Sequence, residues 1–133
     1  MKKEGVEKSE EGYKHPPIVM DLVLAYKQWY GIHQHMPKLF RITISTQLME
    51  ALSECISLCV EINFAKKNNK EKEIGREKLI ELRGKIELIK TYSLISWEMK
   101  MVSHGFYSQF LERVENISKQ AAMWHQWASK HYE

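Results

Sequence analysis

Proline is absent beyond residue 37, and neither Asn-Gly nor Asp-Gly occurs anywhere in the chain. Proline fixes φ and removes an amide donor, so its absence leaves 38–133 open to uninterrupted helix. The missing hairpin dipeptides, with no run of alternating β-branched residues, argue against sheet. No apolar stretch nears the ~18 residues of a membrane helix. The charged opening also lacks a signal-peptide apolar core, so a cytoplasmic protein with no membrane partner is expected. Cysteine is scarce as well. Cys55 and Cys59 stand four apart, side by side on a helix, where a disulfide is geometrically poor and no second cysteine cluster could complete a metal site. They read as small core residues.

Catalytic patterns are equally thin. Bundle di-metal sites use Glu-x-x-His pairs, and none of the six histidines has a glutamate three residues before it. His33 and His35 are two apart and point to different sides of a helix. Ser103-His104 has no orienting carboxylate near it in sequence, and no glycine-rich phosphate loop occurs. No enzymatic activity, no metal and no cofactor are expected.

What is present is helical periodicity. With 133 residues and 44% hydrophobic content, the chain is long enough for one domain that buries roughly two thirds of its unfolded surface. Residues 1–16 balance four lysines against four glutamates with almost nothing to bury, and read as a disordered or loosely docked arm. The bundle domain is expected over 17–133. Pro17 suits a first helical turn, followed by an apolar stripe of Ile18, Val19, Leu22, Val23, Tyr26, Trp29, Tyr30 and His33 that ends at Met36. Pro37 then bars continuation. Thr43 or Ser45 is the expected N-cap of a second helix, with Gln47 reaching back. Its wide apolar face (Leu48, Ala51, Leu52, Cys55, Ile56, Leu58, Cys59, Ile62) suits an inner helix buried on two sides.

After the polar turn around Asn68-Asn69, a third helix carries Ile74, Leu79, Leu82, Ile86, Ile89 and Ser93, and is expected to persist to about Lys100. Glu73 and Glu77 are placed to pair with Lys78 and Arg83 on its outer face. Ser103 is the expected N-cap of a fourth helix, whose stripe is Tyr107, Phe110, Leu111, Val114, Ile117, Ala121, Trp124 and Trp127. The fold class is all-α, an antiparallel up-down-up-down four-helix bundle. Large apolar side chains such as Tyr30, Trp97, Trp124 and Trp127 exceed what one such core hides comfortably, which points to a homo-oligomer.

The formal charge of +3 is unevenly placed. Between Lys38 and Lys90 lie eleven basic and eight acidic residues, while the segments on either side each sum to zero. Lys66, Lys67, Lys70 and Lys72 form the densest cluster, and Arg76, Arg83 and Lys90 recur every seven residues along one side of the third helix. Such a stripe suits phosphate contacts; a solvated helix face is the plainer reading of the same charges. The aromatics fall at core spacing and offer no stacking platform, so any nucleic-acid binding is expected to be electrostatic.

Pro37-Lys38, then Phe40-Arg41-Ile42-Thr43-Ile44 leading into Gln47-Leu48, resembles the element that opens the second helix in accessory variability determinant proteins of diversity-generating retroelements. The basic loop after helix two, Leu82-Arg83, Val102-Ser103 and a tryptophan near the end follow in the same order. Ile42 and Ser45 depart from that family's usual phenylalanine and glycine, and Gln47 is uncharged near a usually basic position. The resemblance implies a four-helix bundle assembling into a homopentamer. It also implies a non-catalytic role, in which a basic surface (Lys38, Arg41, Lys66, Lys67, Lys70, Lys72, Arg76, Arg83 and Lys90) binds a reverse transcriptase and its template RNA, or DNA, during mutagenic copying. Bundles encoded in ribosomal RNA intervening sequences are the near alternative; of their characteristic segment after helix two, Asn63-Phe64-Ala65-Lys66-Lys67 keeps the asparagine and alanine. A general protein-interaction bundle is the third reading.

In the motif itself, Phe40 is expected to pack inward near Ile44 while Arg41 stays outside. Phe40→Ala should therefore lower unfolding free energy by about 2 to 4 kcal/mol in urea titration and Arg41→Ala by far less, whereas equal losses would reverse the two faces.

Overall fold

Pro17 occupies the first position of helix α1 (Pro17–His33), where a missing amide hydrogen costs nothing because that donor has no intrahelical partner. The computed structural model describes the backbone of residues 17–64 and 69–131, and in them four helices form the antiparallel up-down-up-down bundle. Residues 1–16, expected as an arm, lie outside the described residues, as do Lys66 and Lys67. No helix among the described residues is long and apolar enough to cross a membrane.

Helix α2 starts earlier than its periodicity suggests. It runs from Lys38–Phe40 through a π-helical turn, Arg41–Ser45, into Thr46–Phe64. The residue before the helix is Pro37, extended at φ −54° and ψ 142°, and no side chain caps the helix there. Thr43 and Ser45, expected as N-caps, instead lie inside the helix. The Thr43 hydroxyl donates to the Leu39 carbonyl at 2.7 Å, and the Thr46 hydroxyl to the Arg41 carbonyl at 2.6 Å. Gln47 does not reach back either; it accepts a hydrogen bond from the Tyr92 hydroxyl at 2.7 Å.

The π turn has a packing reason. Phe40 and Ser45 are both buried, yet five residues apart on a regular α-helix they would diverge by about 140°. One wider turn, with the Thr46 amide donating to the Arg41 carbonyl, carries both to the same side.

Ser45 needs that position because it joins two polar groups of α1. Trp29 Nε1–H can only donate, and it donates to Ser45 Oγ at 2.8 Å. The serine proton is then free for His33 Nδ1, 2.6 Å away, which accepts it when the ring is neutral. Burial lowers the His33 pKa below its ordinary 6.5, and the Arg41 charge lowers it further. Trp29 also tilts against Phe106 and Phe110, with ring centroids at 5.7 and 4.9 Å, so that this one indole joins α1, α2 and the last helix.

Helix α3 (Asn69–Glu98) stops two residues before the expected Lys100. Its end is a Schellman motif: the Met101 amide donates to the Ser96 carbonyl at 2.8 Å, and the Lys100 amide to the Trp97 carbonyl at 2.9 Å. Lys100 takes the left-handed position with φ 63°. Ser103 then caps helix α4 (His104–His131) as expected, accepting from the Phe106 amide at 3.1 Å. Trp97 and Tyr107 stack across this corner at 5.0 Å.

The core follows the sequence stripes closely: Leu22, Leu48, Leu52, Leu79, Leu82, Ile86, Ile89, Phe110, Val114 and Ile117 are all buried. Cys55 and Cys59 are buried and unpaired, and burial pushes both thiols up to about 12, which keeps them protonated. Three stripe members face water instead. Tyr30, Ile74 and Trp127 are exposed, since the apolar stripes of α1, α3 and α4 are wider than the buried seam.

His33 gives the fold a pH dependence with a definite sign. Its folded pKa lies below the unfolded value, so the unfolded state binds the proton first as pH falls. Stability should be full above the ordinary pKa of 6.5 and decline below it. Denaturant midpoints measured across that range should fall on the acid side, and His33→Gln should flatten the profile there. Ser45→Ala should lower stability at neutral pH by about 1 to 3 kcal/mol, because it leaves the Trp29 donor buried without a partner.

Candidate nucleic-acid interface

Arg76, Lys78, Arg83, Lys85 and Lys90 on α3 fall into two rows of seven-residue spacing, one of them continued by Tyr92, and the rows meet different neighbours. Seven residues are nearly two turns, so each row keeps to one side of the helix. The first row, Lys78, Lys85 and Tyr92, meets α2 running in reverse at the same spacing. Lys78 pairs with Glu61 at 2.9 Å, Lys85 with Glu54 at 2.9 Å, and Tyr92 bonds Gln47 at 2.7 Å. Donating to the carboxylates raises the pKa of Lys78 and of Lys85, and accepting from Lys78 lowers that of Glu61. Lys78 therefore pairs across to α2 rather than with Glu73 or Glu77 on its own helix.

The second row is Arg76, Arg83 and Lys90, and it borders α4. Lys90 is neutralised by Glu87 at 3.0 Å and Glu115 at 3.1 Å. Burial opposes its charge, and the bonds to both carboxylates outweigh this and raise its pKa. Arg83 meets no carboxylate among the described residues. Its Nη1 donates to His125 Nδ1 at 2.9 Å.

Arg83 and His125 form the wall shared by two adjoining clefts between α3 and α4. The larger, about 530 Å³, is completed by Gln126, Ser129 and Lys130, with no carboxylate among the described residues of its lining. The smaller, about 270 Å³, adds Ile80, Gly84, Ser118 and Glu87, the last already engaged by Lys90. Guanidinium, ammonium, hydroxyl and amide donors thus converge where acceptors are few, an arrangement suited to phosphate oxygens.

A wider groove, about 890 Å³, lies between α1 and α4, and its chemistry differs. There Arg113 donates to Gln28 at 3.1 Å, and Gln120 to Asp21 at 2.6 Å. Its side chains satisfy one another and carry both signs, so it has no preference for an anion. No group of three or more potential metal-binding side chains occurs among the described residues.

The expected site residues separate into two regions. Lys70 is exposed, Arg76 and Lys72 are half-buried, and all three lie on α3 before Arg83. Lys38 and Arg41 lie at the opposite end of the bundle, since α3's 30 residues span about 45 Å. Arg41 caps the end of the α1 segment, donating to the Gln34 and Met36 carbonyls at 3.4 and 3.3 Å. His125 and Lys130 are contributions from α4 that the sequence reading missed. No motif marks them; only the antiparallel register of α3 and α4 brings them beside Arg83.

In comparisons with known proteins, no family, no curated protein and no solved structure matches this chain.

Proposed function

We propose that this protein is a non-catalytic accessory factor of a diversity-generating retroelement, which binds template RNA and the reverse transcriptase through a basic surface and supports mutagenic cDNA synthesis in the cytoplasm. The observation that carries the nucleic-acid part is the contrast between the two rows of α3. Glutamates of α2 neutralise one, whereas Arg83 of the other remains without a carboxylate beside His125 and Lys130. The resemblance of the Pro37 to Leu48 segment is compatible with the positions found: Phe40 is buried in the core, and Arg41 lies at the boundary with solvent.

Self-assembly into a homopentamer is part of the same reading. Support comes from apolar side chains that face water, among them Leu39 at 74%, Met123 at 68% and Ile80 at 60% exposure. An assembly would repeat the cationic groove around its circumference and multiply a modest monomer charge. Light scattering that returned the single-chain mass of 15.8 kDa at micromolar concentration would remove this part.

The test of RNA binding compares two variants of equal charge change, Arg83→Gln with Lys130→Gln in one and Lys78→Gln with Lys85→Gln in the other. Fluorescent structured RNA is titrated at two salt concentrations, with circular dichroism as the check on folding. The groove variant should weaken binding roughly tenfold and flatten the salt dependence, each phosphate contact contributing a log-log slope of about −0.7 to −0.9. The paired-row variant should bind almost as wild type, since its cations already have partners. Equal loss in both variants, or no binding by wild type, would refute the assignment.

A further inference from the structure

The loops joining α1 to α2 and α3 to α4 meet at one end of the bundle and enclose a cleft of about 480 Å³. Ile32, Met36, Met101 and Phe106 give it an apolar lining, and His35 and Lys100 stand among its walls. Charge around it is one-sided. Residues 31–41 and 98–106 contain Lys38, Arg41 and Lys100 with His33, His35 and His104, against Glu98 alone. Neither Lys38 nor Lys100 has a carboxylate partner among the described residues. Leu39 and Ile42 near the start of α2, and Met99 in the α3–α4 connection, are 74%, 57% and 53% exposed.

Lys100 is in an unfavourable backbone position for its type. A left-handed C′ residue is usually glycine, because a Cβ is sterically disfavoured there. Lys100 is exposed, so burial does not repay the strain. The strained position instead sets a cation in the wall of an apolar cleft.

The geometry points to this end cleft as a docking site for an acidic protein segment that inserts an apolar side chain between the two loops and sets its carboxylates against Lys100 and Lys38. A volume of 480 Å³ lies within the ~300 to 1,000 Å³ of ligand clefts. Two methionines in the lining, Met36 and Met101, adapt to varied apolar shapes. The same features disfavour a nucleic acid, which presents phosphates first and needs a track of cations rather than an apolar floor. The site is separate from the α3–α4 groove, so it stands or falls independently of the RNA-binding proposal.

The test uses the full chain and a fluorescein-labelled peptide with a central Leu-Trp pair between runs of glutamate. A lysine-flanked version of the peptide and oligouridine serve as comparison ligands. The glutamate peptide should bind saturably and the lysine peptide should not. Lys100→Gly removes one cation and relieves the backbone strain, so peptide affinity should drop about fivefold while Tm rises. Arg83→Gln should leave peptide binding unchanged. Absence of glutamate-peptide binding up to about 1 mM would overturn the proposal. So would undiminished binding by Lys100→Gly, a lower Tm for that variant, or oligouridine displacing the peptide.

Discussion

The bundle is tied together at Ser45, a single hydroxyl that accepts from Trp29 and donates to His33. A donor-only indole and an acceptor nitrogen come from the same helix, and only a hydroxyl placed between them satisfies both. Holding Ser45 inside, together with Phe40, requires the π turn in α2. Trp29, fixed by that bond, then presents its ring to Phe106 and Phe110 on α4. Local backbone geometry, a buried polar bond and the aromatic corner of the core are thus one arrangement, and the burial that lowers the His33 pKa favours the neutral ring in it.

Register has the second large influence. Because α2 and α3 run antiparallel with matched seven-residue spacing, one correct pair places the next, and Glu61, Glu54 and Gln47 meet Lys78, Lys85 and Tyr92 in turn. Such exposed pairs stabilise a fold little. Their larger effect is on the surface potential, since they cancel the cations of one row, while in the other Lys90 is paired and Arg83 is not. The α3–α4 groove is cationic because Arg83 and Lys130 line it.

The two cationic regions differ in kind. Along α3 the cations share a polar cleft with hydroxyl and amide groups, chemistry that suits oxyanions repeated along a backbone. At the loop end they surround an apolar cleft, chemistry that suits one side chain with acidic neighbours. About half the length of α3 separates the two, since Arg83 lies midway along its 30 residues.

Much of the fold was legible in the sequence. Apolar spacing picked out Leu48, Leu52, Cys55, Cys59, Leu82, Ile86, Ile89, Phe110, Val114 and Ile117, because burial on a helix imposes a period that side-chain type records directly. Ser103 was readable as a cap for the same local reason. The start of α2 was not, because Thr43 and Ser45 are favourable caps by type, and their real roles depend on a wider turn that α1 makes worthwhile. The candidate site was only partly legible. Arg76, Arg83 and Lys90 were visible as a row, but whether each cation is free is a fact about the facing helix: Glu115 engages Lys90, whereas His125 and Lys130 stand beside Arg83. The sequence by itself determined the helices and their buried faces, since these follow from periodicity within one segment. Tertiary structure alone decided which charges remain available, since pairing depends on register between segments that no local pattern encodes.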